Sequence, residues 1–554
     1  MAARRGIQFE EILRLAGDGG LWQAFVFAWS IIGGLMTGAH NVSSAFVGGE
    51  PEHRCVLPGE LANETATAQE VDAWIPRNNA TDRLASCGRW ETANGSITIA
   101  CDAGWVYGQE RFQSTIVSEW DLVCGRRWMM STVQASYMFG IFCGAMISGV
   151  LSDQFGRRRA VCCSGVLFII SSLATAGAGS YAAFVTLRFV TAMSGAGVFG
   201  CMFILLMEVM GPRWRALVGL IYQIPFSFGF MSLSAVAYLV RDWRYLQLII
   251  SAPSVVMLGF WWALPESPRW LIMQNRLPEA LEVLRAAARR NKRTLPSDDE
   301  MMKMMSEFRA AEVKESAGDD EAGDRSVLQN CANGICEMFR LVRTPRMRRI
   351  SLASFYNWLV VSMIYYGVTF NSADLSSSPY LAIFLAGLVE IPAVLLSVPL
   401  INRIGRRPSM VATHLLTGAA ILCIMAVPRW LAWPKLVLGM LGKFAASAAF
   451  GIIYLYTAEY FPTTLRNAGF GSSSTCARIG SMAAPYVVDL LSPIHWTIPS
   501  CVFGLGGVTA ALASFLLPET NGRRLPETVA DIERGVWERV TETGEGEETD
   551  AIRL

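Results

Sequence analysis

The stretch GVLSDQFGRRR, Gly149–Arg159, decides how the rest of the chain is read. An aspartate, a glycine and three arginines fill a short turn between two apolar runs, about 128–151 and 160–179. Runs of about 20 residues match a hydrocarbon core of ~30 Å at 1.5 Å rise per residue. A turn this polar between two such runs sits at a lipid–water boundary. A weaker copy, PLINRIGRR, occupies Pro399–Arg407 and places Asn402 where Asp153 stands, 249 residues on.

The composition agrees with a membrane chain. Of 554 residues, 52% are hydrophobic and only 17% charged, with a mean hydropathy of +0.35. A soluble protein of this length carries more surface charge. A net charge of +1 provides no field for nucleic acid. Met1–Gly20 is polar and charged, and the apolar run after it is long enough to stay in the bilayer, so no cleavable signal peptide is expected.

Taken in order, the chain predicts an all-α polytopic protein of twelve membrane spans. A cytoplasmic N-terminus, 1–20, precedes a six-span half, 21–264, whose first span is followed by a large extracellular loop, 47–127. A hydrophilic cytoplasmic linker, 265–348, joins it to a second six-span half, 349–516, and a cytoplasmic tail, 517–554. The loop carries Cys55, Cys87, Cys101 and Cys124, which allow three pairings, and the sequons at Asn63, Asn79 and Asn94. Sequons are used only on the lumenal or extracellular side. Arg157–Arg159, Arg213, Arg215, Arg403, Arg406, Arg407 and Arg466 fall on the opposite side, with the N-terminus, which is the positive-inside pattern. Arg241 and Arg244 are exceptions.

The halves repeat. Glu208 and Arg215 after span 4 recur as Glu459 and Arg466 after span 10, each 251 residues on. Pro265-Glu266 after span 6 recurs as Pro518-Glu519 after span 12. Two six-span halves in parallel repeat are the major facilitator layout, which rocks about a site near the bilayer midplane. Asp153, Arg157, Glu208, Arg215, Glu459 and Arg466 are then candidate latch residues. The expected partners are Glu208 with Arg215 and Glu459 with Arg466, formed in one state and released in the other. The plainer alternative is that they only anchor the fold and its orientation.

Charges inside spans point to a chamber, because an Arg, Lys or Asp at a span centre costs about 2.5–3.5 kcal/mol on insertion scales. Arg478 in span 11 shares a face with Ser474 and Ser481, and is the main candidate to line a cavity. Glu390 in span 8 and Lys443 in span 10 are candidate partners; Arg188 in span 4 reads as structural. Trp358 and Tyr365 lie seven apart on one face of span 7, suited to cation–π contact with an ammonium group or to ordinary helix packing. No phosphate loop and no His/Cys cluster with metal spacing occurs, so neither ATP hydrolysis, nor a metal, nor an enzyme is expected.

Several segments carry a family resemblance over nearly the whole chain: GVLSDQFGRRR, PESPRWL (Pro265–Leu271), LPET (Leu517–Thr520), and the cysteine-bearing loop after span 1. They resemble the organic cation/anion/zwitterion transporter family of the major facilitator superfamily. Pro51–Cys55, Ser114–Trp120, Val240–Arg244, Gly442–Phe444 and Tyr456–Glu459 are most similar to its carnitine and organic cation branch. The resemblance implies a plasma-membrane carrier, a monomeric transport unit in the lipid bilayer, that moves small organic cations or zwitterions by alternating access. It further implies arginine-type, carboxylate-favouring chemistry at Arg478, an acidic family position at Glu390, and cavity positions at Trp358, Tyr365 and Gln223. No cofactor is implied beyond sodium as the candidate coupling ion, with Glu459 at the coupling position. It pairs Cys55 with Cys101 and Cys87 with Cys124; the family's usual third pair is missing here. The alternatives are an organic anion exchanger and a transporter-like receptor that binds without moving its ligand.

Overall fold

A computed structural model of the chain describes residues 8–58, 67–77, 84–319, 339–375, 378–428, 430–492, 494–523 and 525–535. Asn63 and Asn79 lie outside the described residues. Among the described residues, twelve helical spans follow one another in two sets of six, spans 5 and 6 each built from more than one helical segment. Nine of them are long and apolar enough to cross a membrane among the described residues: spans 1–6 at Leu21–Val47, Cys124–Phe155, Arg157–Ala176, Tyr181–Val209, Pro212–Leu239 and Trp243–Ala263, then spans 8–10 at Pro379–Ile404, Arg406–Ala426 and Ala432–Tyr460. Span 12, Ile498–Ser514, is apolar but shorter. Spans 7 and 11, Pro345–Leu375 and Arg466–Leu491, are long enough but too polar to qualify, and they are the helices that carry the ring stretch and Arg478.

The two Gly-Arg-Arg turns have the same geometry. Gly156 and Gly405 precede spans 3 and 9 with φ of +99° and +105°, a left-handed region that side chains rarely adopt. In each turn a carboxylate from the end of the same half caps the new helix. Glu266 accepts from the backbone N–H groups of Arg157 and Arg158 at 2.8 and 3.1 Å. Glu519 accepts from those of Arg406 and Arg407 at 3.0 and 3.1 Å. These are orphan donors at the positive end of a helix dipole, which is where a carboxylate is favoured. The repeated Pro-Glu is therefore a pair of clasps, each joining the exit of a half's sixth span to the start of its third.

Small residues bring spans close. Backbone atoms of Phe189 and Met193 in span 4 occupy the space beside Gly140 and Gly144 of span 2, and Leu359 of span 7 does the same beside Gly480 of span 11.

In the loop, His53–Cys55 pairs antiparallel with Trp105–Tyr107 and Arg89–Trp90 with Thr98–Ile99. Cys55 is bonded to Cys101 and Cys87 to Cys124. Arg89 lies 3.0 Å from Asp102 and holds its exposed carboxyl below the usual carboxylate range. Asn94 stands exposed in a turn at φ +54°. The loop is tied to the first half where two of the resembling segments meet: Glu119 accepts from Trp243 Nε1 at 2.8 Å and from Arg244 at 2.5 Å, and Trp243 N donates to Ser114 O. Arg244 also donates to the carbonyls of Ala176 and Ala178. One exception to the charge pattern is thus neutralised in place.

At the opposite end, the polar N-terminus is more structured than its sequence indicates. Phe9–Ala16 forms a helix whose Phe9, Ile12, Leu13 and Ala16 are buried against the linker helices Leu277–Arg290 and Asp298–Asp319. The Asn291 amide donates to the carbonyls of Ala16 and Gly17, and its oxygen accepts from Trp22 N at 2.9 Å.

Candidate functional site

At mid-depth, spans 5, 7, 8 and 10 converge on a buried ion pair. Lys443 Nζ lies 2.9 Å from Glu390 Oε1 and 2.7 Å from Thr369 Oγ1, and sits 3.1 Å from the centre of the Tyr365 ring. The Tyr365 hydroxyl donates to the same Glu390 oxygen, and Ser227 Oγ of the first half donates to the other at 2.8 Å. Side-chain exposure is 0% for Lys443 and 5% for Glu390. Glu390 is therefore already matched by Lys443, its candidate partner in the sequence. Lys443 stands behind the Tyr365 ring and offers no open face to a substrate.

Arg478 differs. It is partly exposed, and among the described residues no carboxylate pairs with its guanidinium. Its guanidinium is near enough to the Tyr366 and Tyr454 hydroxyls, on spans 7 and 10, for its charge to act on both. Ser474, one turn below it, is also partly exposed. Phe470, Ser474 and Arg478 form one stripe of span 11, and Phe450 and Tyr454 lie one turn apart on span 10. The rings meet: Trp358 packs edge-on against Tyr454, Phe470 and Phe450 at 4.7, 5.7 and 6.2 Å, and Tyr365 tilts against Phe450 at 5.3 Å.

Trp358 itself is fully buried, its indole N–H donating to Thr457 at 2.9 Å. It backs the ring cluster, and Tyr454, 36% exposed, presents that cluster outward. Gln223 is exposed at the break in span 5, between the helices Pro212–Ile221 and Ile224–Leu239, and among the described residues no hydrogen bond joins its side chain to Arg478 or Glu390. Sequence reasoning missed Phe450, Tyr454 and Phe470. Their helical spacing from Lys443 and Arg478 was the available signal. Arg188 is buried and structural, its guanidinium bonded to Ser43 Oγ at 2.6 Å and lying over Tyr137.

The halves touch at the loop end and at mid-depth. Ser131 donates to Asp489 at 2.7 Å, Thr132 and Tyr486 hydroxyls lie 3.1 Å apart, and Phe46 stacks on Tyr380 at 5.3 Å. At the linker end the ion pairs among the described residues stay within a half. Arg157 grips Glu208 through Nε and Nη2, at 2.9–3.2 Å, and its Nη1 reaches Asp153 at 3.0 Å. Arg406 grips Glu459 at 3.1 Å, and Thr520 donates to the same carboxylate.

This corrects the expected latch partners. Glu208 belongs to Arg157 rather than Arg215, and Glu459 to Arg406 rather than Arg466. Span 4 ends at Val209 and Pro212 starts a new helix, and Arg215 folds back so that its Nε donates to the Met207 and Met210 carbonyls at 3.1 and 3.0 Å and its Nη1 meets Glu10 at 3.1 Å, rather than the Glu208 carboxylate. Arg466 Nε is buried with no hydrogen-bond partner among the described residues. Because Arg157 holds a half-buried carboxylate with a bidentate fork, Arg157→Lys is expected to lower thermal stability by about 1–3 kcal/mol. Arg215→Lys, which keeps a point charge beside Glu10, is expected to change it by under about 1 kcal/mol. Melting of the purified variants checks the order; equal shifts would contradict these pairings.

The architecture matches solved carriers. The xylose transporter XylE from E. coli in its inward open conformation superposes with a TM-score of 0.58 at 15% identity, over 93% of this chain and all of that one. This likeness establishes the fold alone. A family profile described as "Sugar (and other) transporter" matches residues 93–531. The organic cation transporter protein of Drosophila melanogaster is 32% identical over 532 residues, covering 94% of each chain. Solute carrier family 22 member 6 of Bos taurus is 33% identical, covering 95% of this chain and 94% of that one. This chain belongs to the organic cation/anion/zwitterion transporter family, solute carrier family 22. As a member of that family it is a multi-pass membrane transporter of organic ions and not an enzyme.

Proposed function

We propose that the chain is a plasma-membrane carrier of small carboxylate-bearing organic ions, carnitine-like zwitterions in particular, working by alternating access as a monomeric transport unit. The loop 47–127 faces outward and both termini face the cytoplasm in this reading, supported by the loop's sequons and cysteine pairs and by the arginines at the other end. The one observation that carries the substrate class is Arg478: a partly exposed guanidinium, unmatched by any carboxylate among the described residues, beside a cluster of rings. A carboxylate docks on the guanidinium, and an ammonium end rests on the aromatic faces. A simple monovalent cation is disfavoured by the same charge.

A second reading, an organic anion exchanger, is favoured by one contact. Lys443 cancels Glu390 in the buried pair, so the charge left for a substrate is the single positive one of Arg478. Uptake into vesicles of carnitine, tetraethylammonium and a dicarboxylate, each with and without sodium, separates the readings. Carnitine uptake well above the other two supports the first, and dicarboxylate uptake stimulated by internal dicarboxylate supports the second. Binding with no uptake of any would support a receptor.

Sodium coupling through Glu459 belongs to the same proposal, and Arg406 and Thr520 set its terms. Sodium must displace them to reach the carboxylate. Glu459→Gln is then expected to remove any sodium stimulation while leaving sodium-free uptake within a few-fold of the parent; sodium stimulation intact in Glu459→Gln would exclude this residue.

A further inference from the structure

The extracellular loop holds a cluster that transport does not use. A ring nitrogen of His53, Cys87 Sγ and Cys124 Sγ all lie within 4.8 Å of one another. The His53 side chain is 5% exposed, and among the described residues Nε2 has no hydrogen-bond partner. Its other nitrogen, Nδ1, lies 3.1 Å from the Pro51 carbonyl and 3.9 Å from a Glu50 carboxylate oxygen. A carbonyl cannot donate, so Nδ1 carries the proton and Nε2, which has no hydrogen-bond partner among the described residues, keeps its lone pair for a ligand. A histidine oriented by an oxygen on one nitrogen and free on the other is how proteins hold a metal ligand in place. The strand His53–Cys55 fixes the ring, pairing His53 with Tyr107 across the ladder. The Ser86 carbonyl lies 3.7 Å from Cys124 Sγ, near enough to add an oxygen donor.

We propose that the Cys87–Cys124 bond masks a metal site. The bonded sulfurs are poor ligands; as thiolates, with neutral imidazole, they form a sulfur–sulfur–nitrogen set suited to a borderline divalent cation such as Zn2+. An external dithiol, or a phosphine in the laboratory, supplies the two electrons. The disulfide takes them with two protons and becomes two thiols, while the dithiol becomes its own disulfide. The cation then displaces both thiol protons, and His53 Nε2 binds without losing one. The loop would thereby exchange a covalent tie for a metal tie when it meets a reducing environment, keeping Cys87 and Cys124 together.

The test uses the purified full-length chain and two probes. After phosphine reduction, Co2+ is expected to give thiolate charge-transfer absorption at one ion per chain; the oxidised chain gives none. Cys55→Ser with Cys101→Ser keeps the signal. His53→Ala, which retains every thiol, weakens Co2+ binding at least tenfold. Equal affinity in the reduced parent and His53→Ala overturns the site. A second measurement needs no variant. Zn2+ added to the reduced parent slows alkylation of Cys87 and Cys124 at least tenfold, read by mass spectrometry. Alkylation of both at the same rate with and without Zn2+ overturns the proposal, whatever the fate of the His53 variant.

Discussion

Arg478→Asp is expected to cut uptake of carboxylate-bearing substrates by about a hundredfold or more, while uptake of tetraethylammonium holds or rises. The size follows from Coulomb's law. Two unit charges at 4 Å interact by about 4 kcal/mol at an effective dielectric near 20, and every 1.4 kcal/mol is about tenfold. Reversing the sign turns that attraction into repulsion, so a hundredfold loss is a conservative figure. Arg478→Lys should fall between, because a lysine keeps the charge but loses the fork that grips a carboxylate through two bonds. The measurement is initial uptake rate normalised to surface-labelled protein. Equal loss of carnitine and tetraethylammonium at normal surface level would remove Arg478 from the recognition of charge. It would leave the carrier fold untouched, because that rests on the twelve helices and the family relationship.

The second large effect is on stability. Lys443→Met is expected to destabilise the chain by about 3–5 kcal/mol, the usual cost of leaving one member of a buried pair unmatched. Glu390 would keep only the Tyr365 and Ser227 hydroxyls. Adding Glu390→Gln should recover most of the loss, since a neutral amide can still meet both hydroxyls and no bare charge remains. Melting of the parent, both single variants and the double variant closes the cycle. A double variant as unstable as Lys443→Met alone would show that the lysine matters for its contact with Thr369 and the Tyr365 ring rather than for charge. The double variant also bears on selectivity: with the neutral pair gone and Arg478 intact, preference for carboxylates should persist.

Much of the architecture was legible because it is written twice. The Gly-Arg-Arg turns, Glu208 and Glu459, and the two Pro-Glu pairs recur at nearly the same offset, about 250 residues, and each recurrence lands at the same place in its half. The ion partners were less legible. Seven residues along a continuous helix bring two side chains to one face, but the chain turns at Gly211 and Pro212, so Arg215 leaves Glu208. Arg157 reaches it instead from 51 residues away. Chain spacing carries no record of such a crossing.

The candidate site shows the same division. Arg478 was found because a charge in a span is costly, and the polarity that placed it also made span 11 fail as an ordinary membrane helix. Glu390 and Lys443 were found by the same rule, but the rule does not distinguish a charge that is waiting from one already matched. The rings of Phe450, Tyr454 and Phe470 passed unnoticed because aromatic residues are common in every span; only the fold shows that these three surround Trp358.

The unmatched guanidinium also makes the resting protein an electrical device. With Glu390 and Lys443 cancelling, an empty site carries one excess positive charge, and a bound monocarboxylate brings it to zero. On this reading membrane voltage acts on the return of the unloaded form and spares the form loaded with a monocarboxylate, whereas a carnitine-like zwitterion leaves the charge at +1 and voltage acts on both forms. A full elementary charge moved through 100 mV is worth about 2.3 kcal/mol, and a site at mid-depth would sense some fraction of that. An interior-negative potential draws the vacant site toward the cytoplasm, so polarising the cell should lengthen the time the empty protein waits facing inward, with no sodium required.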